Sequence, residues 1–153
     1  MEFGIINVWN ICLVSVMLIP NIIFALNKKN VHCKQVDIST YITILEQIGR
    51  YGCILLMIIP LYFDKMKFGF TSPEAFIIYL FANIILVTAY LFIWAIFRNE
   101  QHLWRNMSLA IIPTCIFLIS GITLGHWLLV GASLIFGISH IYITYKLYVK
   151  ACC

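Results

Sequence analysis

The chain has 153 residues, 63% of them hydrophobic and only 10% charged, with a formal net charge of +4. A soluble domain carries roughly 25% charged residues, so this composition excludes a water-covered globule and leaves the bilayer as solvent. The basic residues sit at the ends of apolar stretches and form no long run, which points to anionic lipid headgroups and excludes a nucleic-acid arm.

Five long apolar stretches predict an all-α polytopic bundle of five transmembrane helices forming one domain over residues 1–153. The first span covers about 3–26. Asn7, Asn10 and Pro20 interrupt it without bringing charge. Glu2 precedes it and Lys28 and Lys29 follow it, the reverse of the charge order in a cleaved signal peptide, so a retained helix is expected. A polar loop leads to the second span, about 41–63, which holds Glu46, Gln47 and Arg50 in its first half. The apolar part that follows, Tyr51 to Phe63, spans only roughly 20 Å as a helix. A hydrocarbon core is about 30 Å thick, so the charged half must enter the membrane too.

Thr71-Ser72-Pro73-Glu74 predicts a helix start, with Ser72 as N-cap and Pro73 at the first helical position. The third span runs about 73–97 and holds Asn83 and Thr88. A short charged loop, 98–106, leads to the fourth span, about 107–125. His126 and Trp127 mark a tight turn into the fifth, about 127–148, before the terminal Cys152-Cys153. The pattern disfavours a β-barrel, whose strands alternate apolar and polar over about ten residues.

Five spans place the termini on opposite sides. With the N-terminus outside, the inner segments carry Lys28, Lys29, Lys34, Arg98, Arg105, Lys146 and Lys150, and the outer ones only Lys65 and Lys67. The positive-inside rule therefore predicts N-out, C-in. Trp9, Trp94, Trp104 and Trp127 mostly fall near span ends, as interfacial anchors do.

The polar groups inside the spans are the candidate site. Glu46 and Arg50 are four apart and share a helix face, with Thr43, Gln47 and Cys53 on or near it. Such a stripe should point into the bundle or water. Glu46 would neutralise Arg50, and Arg50 would hold an anionic ligand or lipid phosphate. The structural alternative is a paired arginine snorkelling to the headgroups. His140, mid-way along the fifth span, would relay protons or bond across to another helix. Ser133 lies roughly 10 Å from it along the helix axis, too far to serve as its nucleophile. Asn83 and His140 are expected as neighbours of Glu46 and Arg50, with Arg98 and Arg105 as phosphate or headgroup contacts.

Gly121 and Gly125 form a G-x-x-x-G, and Ser133 with Gly137 repeats the small-residue spacing, so the last two spans should pack as a close antiparallel hairpin. Of the six cysteines none forms a C-x-x-C. His32, Cys33, His102, Cys152 and Cys153 would share one membrane face, but their spacing fits no standard zinc pattern. No metal, cofactor or catalytic residue is expected. There is no H-E-x-x-H and no P-loop. Gly131-Ala132-Ser133 resembles the serine motif of rhomboid proteases, yet Leu134 replaces the glycine that should follow.

Leu45-Glu46-Gln47-Ile48-Gly49-Arg50-Tyr51-Gly52 and Ser120-Gly121-Ile122-Thr123-Leu124-Gly125-His126-Trp127, with the Ile-, Asn- and Lys-rich usage, give a chain that looks like the uncharacterised small multi-pass membrane proteins of low-GC Gram-positive bacteria. The resemblance implies a bacterial cytoplasmic membrane and brings no activity. The function expected is small-ligand binding, transport-accessory or regulatory, through the intramembrane polar site. One alternative is a transferase or hydrolase on lipid-linked substrates at the cytoplasmic face, with Arg50, Arg98 and Arg105 on phosphate and His102 or Glu46 as acid or base. Another is an interaction subunit packed against a membrane-protein partner, or a homo-oligomer.

Overall fold

In the computed structural model, which describes residues 8–27, 38–59, 70, 72–97 and 102–151, the five apolar stretches form five helices. These are α1 (Val8–Asn27), α2 (Thr40–Ile58), α3 (Pro73–Ile96), α4 (Leu103–Thr123) and α5 (Trp127–Ala151), and no strand occurs among the described residues. Four of them, α2 to α5, are long and apolar enough to cross a membrane. In α1 the corresponding apolar run, Trp9–Ile23, is shorter.

The distribution of side chains is inverted relative to a soluble bundle. On α3 the exposed positions include Ile77, Ile78, Phe81, Ile84, Ile85, Phe92 and Ile96, whereas the buried ones are Tyr79, Asn83 and Tyr90. Asn10, Glu46, Ser120, Ser133 and Ser139 are likewise turned inward. Hydrocarbon outside a helix makes this arrangement favourable, because apolar side chains lose nothing by facing lipid and polar ones do. Most inward hydroxyls bond to their own helix: Thr114 donates to Ala110 O at 3.1 Å, Ser133 to Val130 O at 2.8 Å and Ser139 to Ile135 O at 2.8 Å. Ser133 is thereby engaged as a packing residue.

The helix ends follow local chemistry. Ser72 accepts a hydrogen bond from the Ala75 N–H at 3.2 Å, and Pro73 occupies the first position, where its missing N–H loses no bond. α2 stops at Ile58, short of the expected Phe63, with Ile59 in extended backbone. α4 starts one turn earlier than expected, at Leu103 and not Met107. His102 takes the extended N-cap conformation, and Trp104 packs edge-on against Phe97 at the end of α3, with ring centroids 4.8 Å apart. With that aromatic contact the Trp104–Asn106 stretch belongs to the helix. α4 ends at Thr123 because Gly125 adopts φ 65°. The His126 N–H reaches Gly121 O at 2.8 Å and the Gly125 N–H reaches Ile122 O at 3.1 Å, the paired bonds of a Schellman cap. Gly125 therefore serves the turn. Gly121 serves the helix contact.

α5 packs along both α2 and α4, α4 also carries α3, and α1 bridges α2 and α3. The α4–α5 hairpin is close and antiparallel, as the small-residue spacing predicts. A Cβ on Gly121 would lie 2.9 Å from Val130 Cγ2, and one on Gly137 would strike the Thr114 methyl group. The α2–α5 contact is equally tight. A Cβ on Gly49 would lie 2.8 Å from the Phe136 backbone, and Gly52 faces Ala132. Val14, Met17, Cys53, Met57, Ile116, Phe117, Leu129 and Phe136 fill the centre, drawn from α1, α2, α4 and α5. Gly49→Ala should push α2 off α5 and lower stability by about 1–3 kcal/mol, since the obstacle is backbone and cannot rotate away. Gly131→Ala, with nothing within 4 Å of its added carbon, should lose nothing. Unfolding curves in mixed micelles for the two variants make the comparison.

Candidate functional site

Glu46 belongs to the buried stripe of α2, Glu46, Gly49, Cys53 and Met57, which follows helical spacing. It lies six residues beyond Thr40, roughly 9 Å into the helix. Its side chain is only 4% exposed, and one of its oxygens contacts two basic groups. Arg50 Nη2 donates to Oε1 from one turn along the same helix. His140 Nδ1 lies 3.2 Å from the same Oε1, across the interface on α5. One buried carboxylate is thus shared by two basic groups on two helices.

Gly49 makes this possible. Its missing Cβ lets the Phe136 backbone sit against α2, and His140 is one turn beyond Phe136. The two rings stack, with centroids 4.9 Å apart and planes 18° from parallel. Phe117 of α4 meets Phe136 edge-on at 5.9 Å. The imidazole is therefore held by a stacked ring on its own helix and a carboxylate on the next. Arg50 is at the border of the cluster. Its side chain is 36% exposed, and its charge also acts on Tyr90 of α3. Among the described residues, its guanidinium donates only to Glu46.

The expected grouping of four residues divides. Glu46, Arg50 and His140 come together. Asn83 belongs to a second polar cluster, where its Nδ2 donates to Tyr79 O at 2.9 Å and to Ser120 Oγ of α4 at 3.4 Å. Tyr79 in turn donates through its hydroxyl to Asn10 Oδ1, and Asn10 Nδ2 donates to Met57 O at 2.8 Å. This second network ties α1, α2, α3 and α4 together. Of the other expected residues, Thr43 is exposed, Gln47 half-buried and Cys53 fully buried. Arg105 lies in the first turn of α4, half-buried. Arg98, His32, Cys33, Cys152 and Cys153 lie outside the described residues. Among the described residues, no three His, Cys, Asp or Glu side chains gather as a metal site.

Gly49, Phe136, Asn10 and Ser120 had no part in the expected site. Gly49 and Asn10 did leave a signal in the sequence: a glycine three residues after an intramembrane acid, and an amide inside an apolar run. Ser120 and Phe136 left none, because their roles depend on which helices become neighbours.

His126 was expected only to mark the turn. It caps α5: its Nδ1 accepts the Leu129 N–H at 3.1 Å, three residues in. It is 2% exposed, and that burial pushes its pKa below the ordinary imidazole value of 6.5. The folded chain therefore favours the neutral ring, which alone can accept at Nδ1. The stabilisation is full above about 6.5 and is lost as pH falls toward the depressed folded value. A cation there would also oppose the helix dipole.

Comparison with protein-family models, curated proteins and solved structures gives no match, so the geometry alone carries the functional argument.

Wild type should lose thermal stability between pH 7.5 and 5.5, and His126→Asn, which keeps an acceptor but cannot titrate, should lose clearly less. Glu46→Leu should destabilise by about 1–2 kcal/mol, below the 3–5 kcal/mol of a fully buried broken pair because Arg50 is partly solvated. A double-mutant cycle with His140→Leu should show coupling of at least about 0.5 kcal/mol between the two positions.

Proposed function

We propose that this chain is a five-span protein of a bacterial cytoplasmic membrane, N-out and C-in, that binds a small anionic ligand at Glu46, Arg50 and His140 in a transport-accessory or regulatory role, without covalent catalysis. In this reading α1 is the fifth span, its apolar run completed by residues 3–7. The orientation rests on the basic residues flanking the spans. Anionic headgroups around the chain, and a membrane-protein partner or second copy beside it, belong to the same reading.

One observation carries the proposal: a single buried carboxylate oxygen contacts both Arg50 and His140. The second contact, from His140 across the α2–α5 seam, lets one carboxylate serve two basic groups. Arg50 stands at the border of the cluster, and its guanidinium has donors beyond the one given to Glu46, so a carboxylate or phosphate can dock on the rest of the fork. Arg98 and Arg105 would add headgroup or phosphate contacts on the same side.

The test uses purified protein in phosphatidylcholine nanodiscs, with phosphatidic acid or inorganic phosphate as probe. Wild type should prefer phosphatidic acid over the phosphatidylcholine around it. Arg50→Ala should weaken that preference about tenfold, as the loss of one charge-assisted contact does. Lys146→Ala should leave it nearly unchanged. Equal binding by wild type and Arg50→Ala would end the proposal.

A further inference from the structure

The second polar cluster borders a pocket of about 350 Å³ between α1 and α3, open along one side. Its size lies at the lower end of the range for small-molecule sites, roughly 300–1,000 Å³. Trp9 and Cys12 of α1 and Ile84 of α3 line it and are exposed, so its mouth lies on the face that the bundle turns to hydrocarbon. Leu13 and Val87 form part of its wall, and no charged side chain lines it. Asn83 lines it too, at 2% exposure.

Both Asn83 amide protons have acceptors, but among the described residues its carbonyl Oδ1 has no hydrogen-bond partner. A buried acceptor left unsatisfied is destabilising, and a donor that reaches it removes that penalty. Asn83 lies ten residues beyond Pro73, roughly 15 Å into the helix, close to the bilayer midplane. The tail of an ordinary phospholipid offers no donor at that depth, and its headgroup stays at the interface.

From the orphan acceptor, the uncharged wall and the depth, we infer that the α1–α3 pocket binds a neutral, bilayer-dissolved molecule presenting a hydroxyl donor to Asn83 Oδ1. A quinol or a free polyprenol has this chemistry. The ligand enters sideways from the lipid, packs its hydrocarbon or ring against Trp9, Leu13 and Val87, and donates one hydrogen bond to the amide oxygen. The site is independent of Glu46, Arg50 and His140 and shares no residue with them.

The experiment compares hydroxyl and methyl-ether forms of the same molecule on the full chain in nanodiscs. The probes are decylhydroquinone with its dimethyl ether, and farnesol with its methyl ether, followed by quenching of tryptophan fluorescence. In wild type the hydroxyl form of at least one pair should bind about tenfold more tightly than its ether. The pair that discriminates identifies the source as quinol or prenol. Asn83→Leu should abolish the difference while keeping ether binding, and Val16→Phe, which fills the pocket without removing a polar group, should weaken both forms. Arg50→Ala should change neither, which separates this site from the ionic one. Equal affinity for hydroxyl and ether in wild type, or no saturable binding of any probe, would overturn the inference without bearing on the Glu46 site. So would a hydroxyl preference that survives in Asn83→Leu.

Discussion

A helix surrounded by hydrocarbon has no water to satisfy a polar side chain, so each such group must find a partner inside the protein. That constraint orders this bundle. The exposed faces of α2 and α3 are lined with Ile, Leu, Phe and Tyr, while Asn10, Glu46, Asn83, Ser120, Ser133 and Ser139 face inward. Association gains little from a hydrophobic effect between helices in lipid. Close packing and internal hydrogen bonds must supply it. The glycines at 49, 121 and 137 provide the first and the inward polar groups the second.

The two polar clusters differ in how they answer the constraint. Asn10, Tyr79, Asn83 and Ser120 form a neutral network that ties four helices together with short-range bonds. Glu46 and Arg50 carry formal charge, and His140 lies against the same carboxylate oxygen. The first gains rigidity from its connections to α1, α2, α3 and α4. The second lies on the α2–α5 seam alone, with Arg50 at the border. They also differ in what they leave over: a partly exposed guanidinium at the ionic cluster, and at the neutral one a buried amide oxygen with no partner among the described residues.

Much of this was legible in the sequence, and the reasons are local. Apolar run length identified all five helices. Ser72-Pro73 fixed the start of α3 to the residue, since cap chemistry resides within four positions. The spacing of Gly121, Ser133 and Gly137 gave the α4–α5 hairpin. The pairing of Glu46 with Arg50 followed from their four-residue separation. The site was less legible wherever it depended on which helices are neighbours. Asn83 and His140 are equally rare polar residues in equally apolar spans, and nothing along the chain says that α5 lies against α2 while Asn83 turns to Ser120. The start of α4 was misplaced for a related reason: Trp104 and Arg105 read as loop, whereas in the fold Trp104 packs against Phe97 and both belong to the helix.

The connection between α4 and α5 is three residues, Leu124 to His126, all folded into caps for the two helices it joins. So short a link leaves neither helix free to enter a bilayer without the other. With no Asp, Glu, Lys or Arg at its tip and a histidine held neutral by burial, the hairpin presents no full charge to the lipid at its leading end. During biogenesis the pair can therefore insert as one unit, already folded back on itself, and offer α2 and α3 a finished surface on which to assemble.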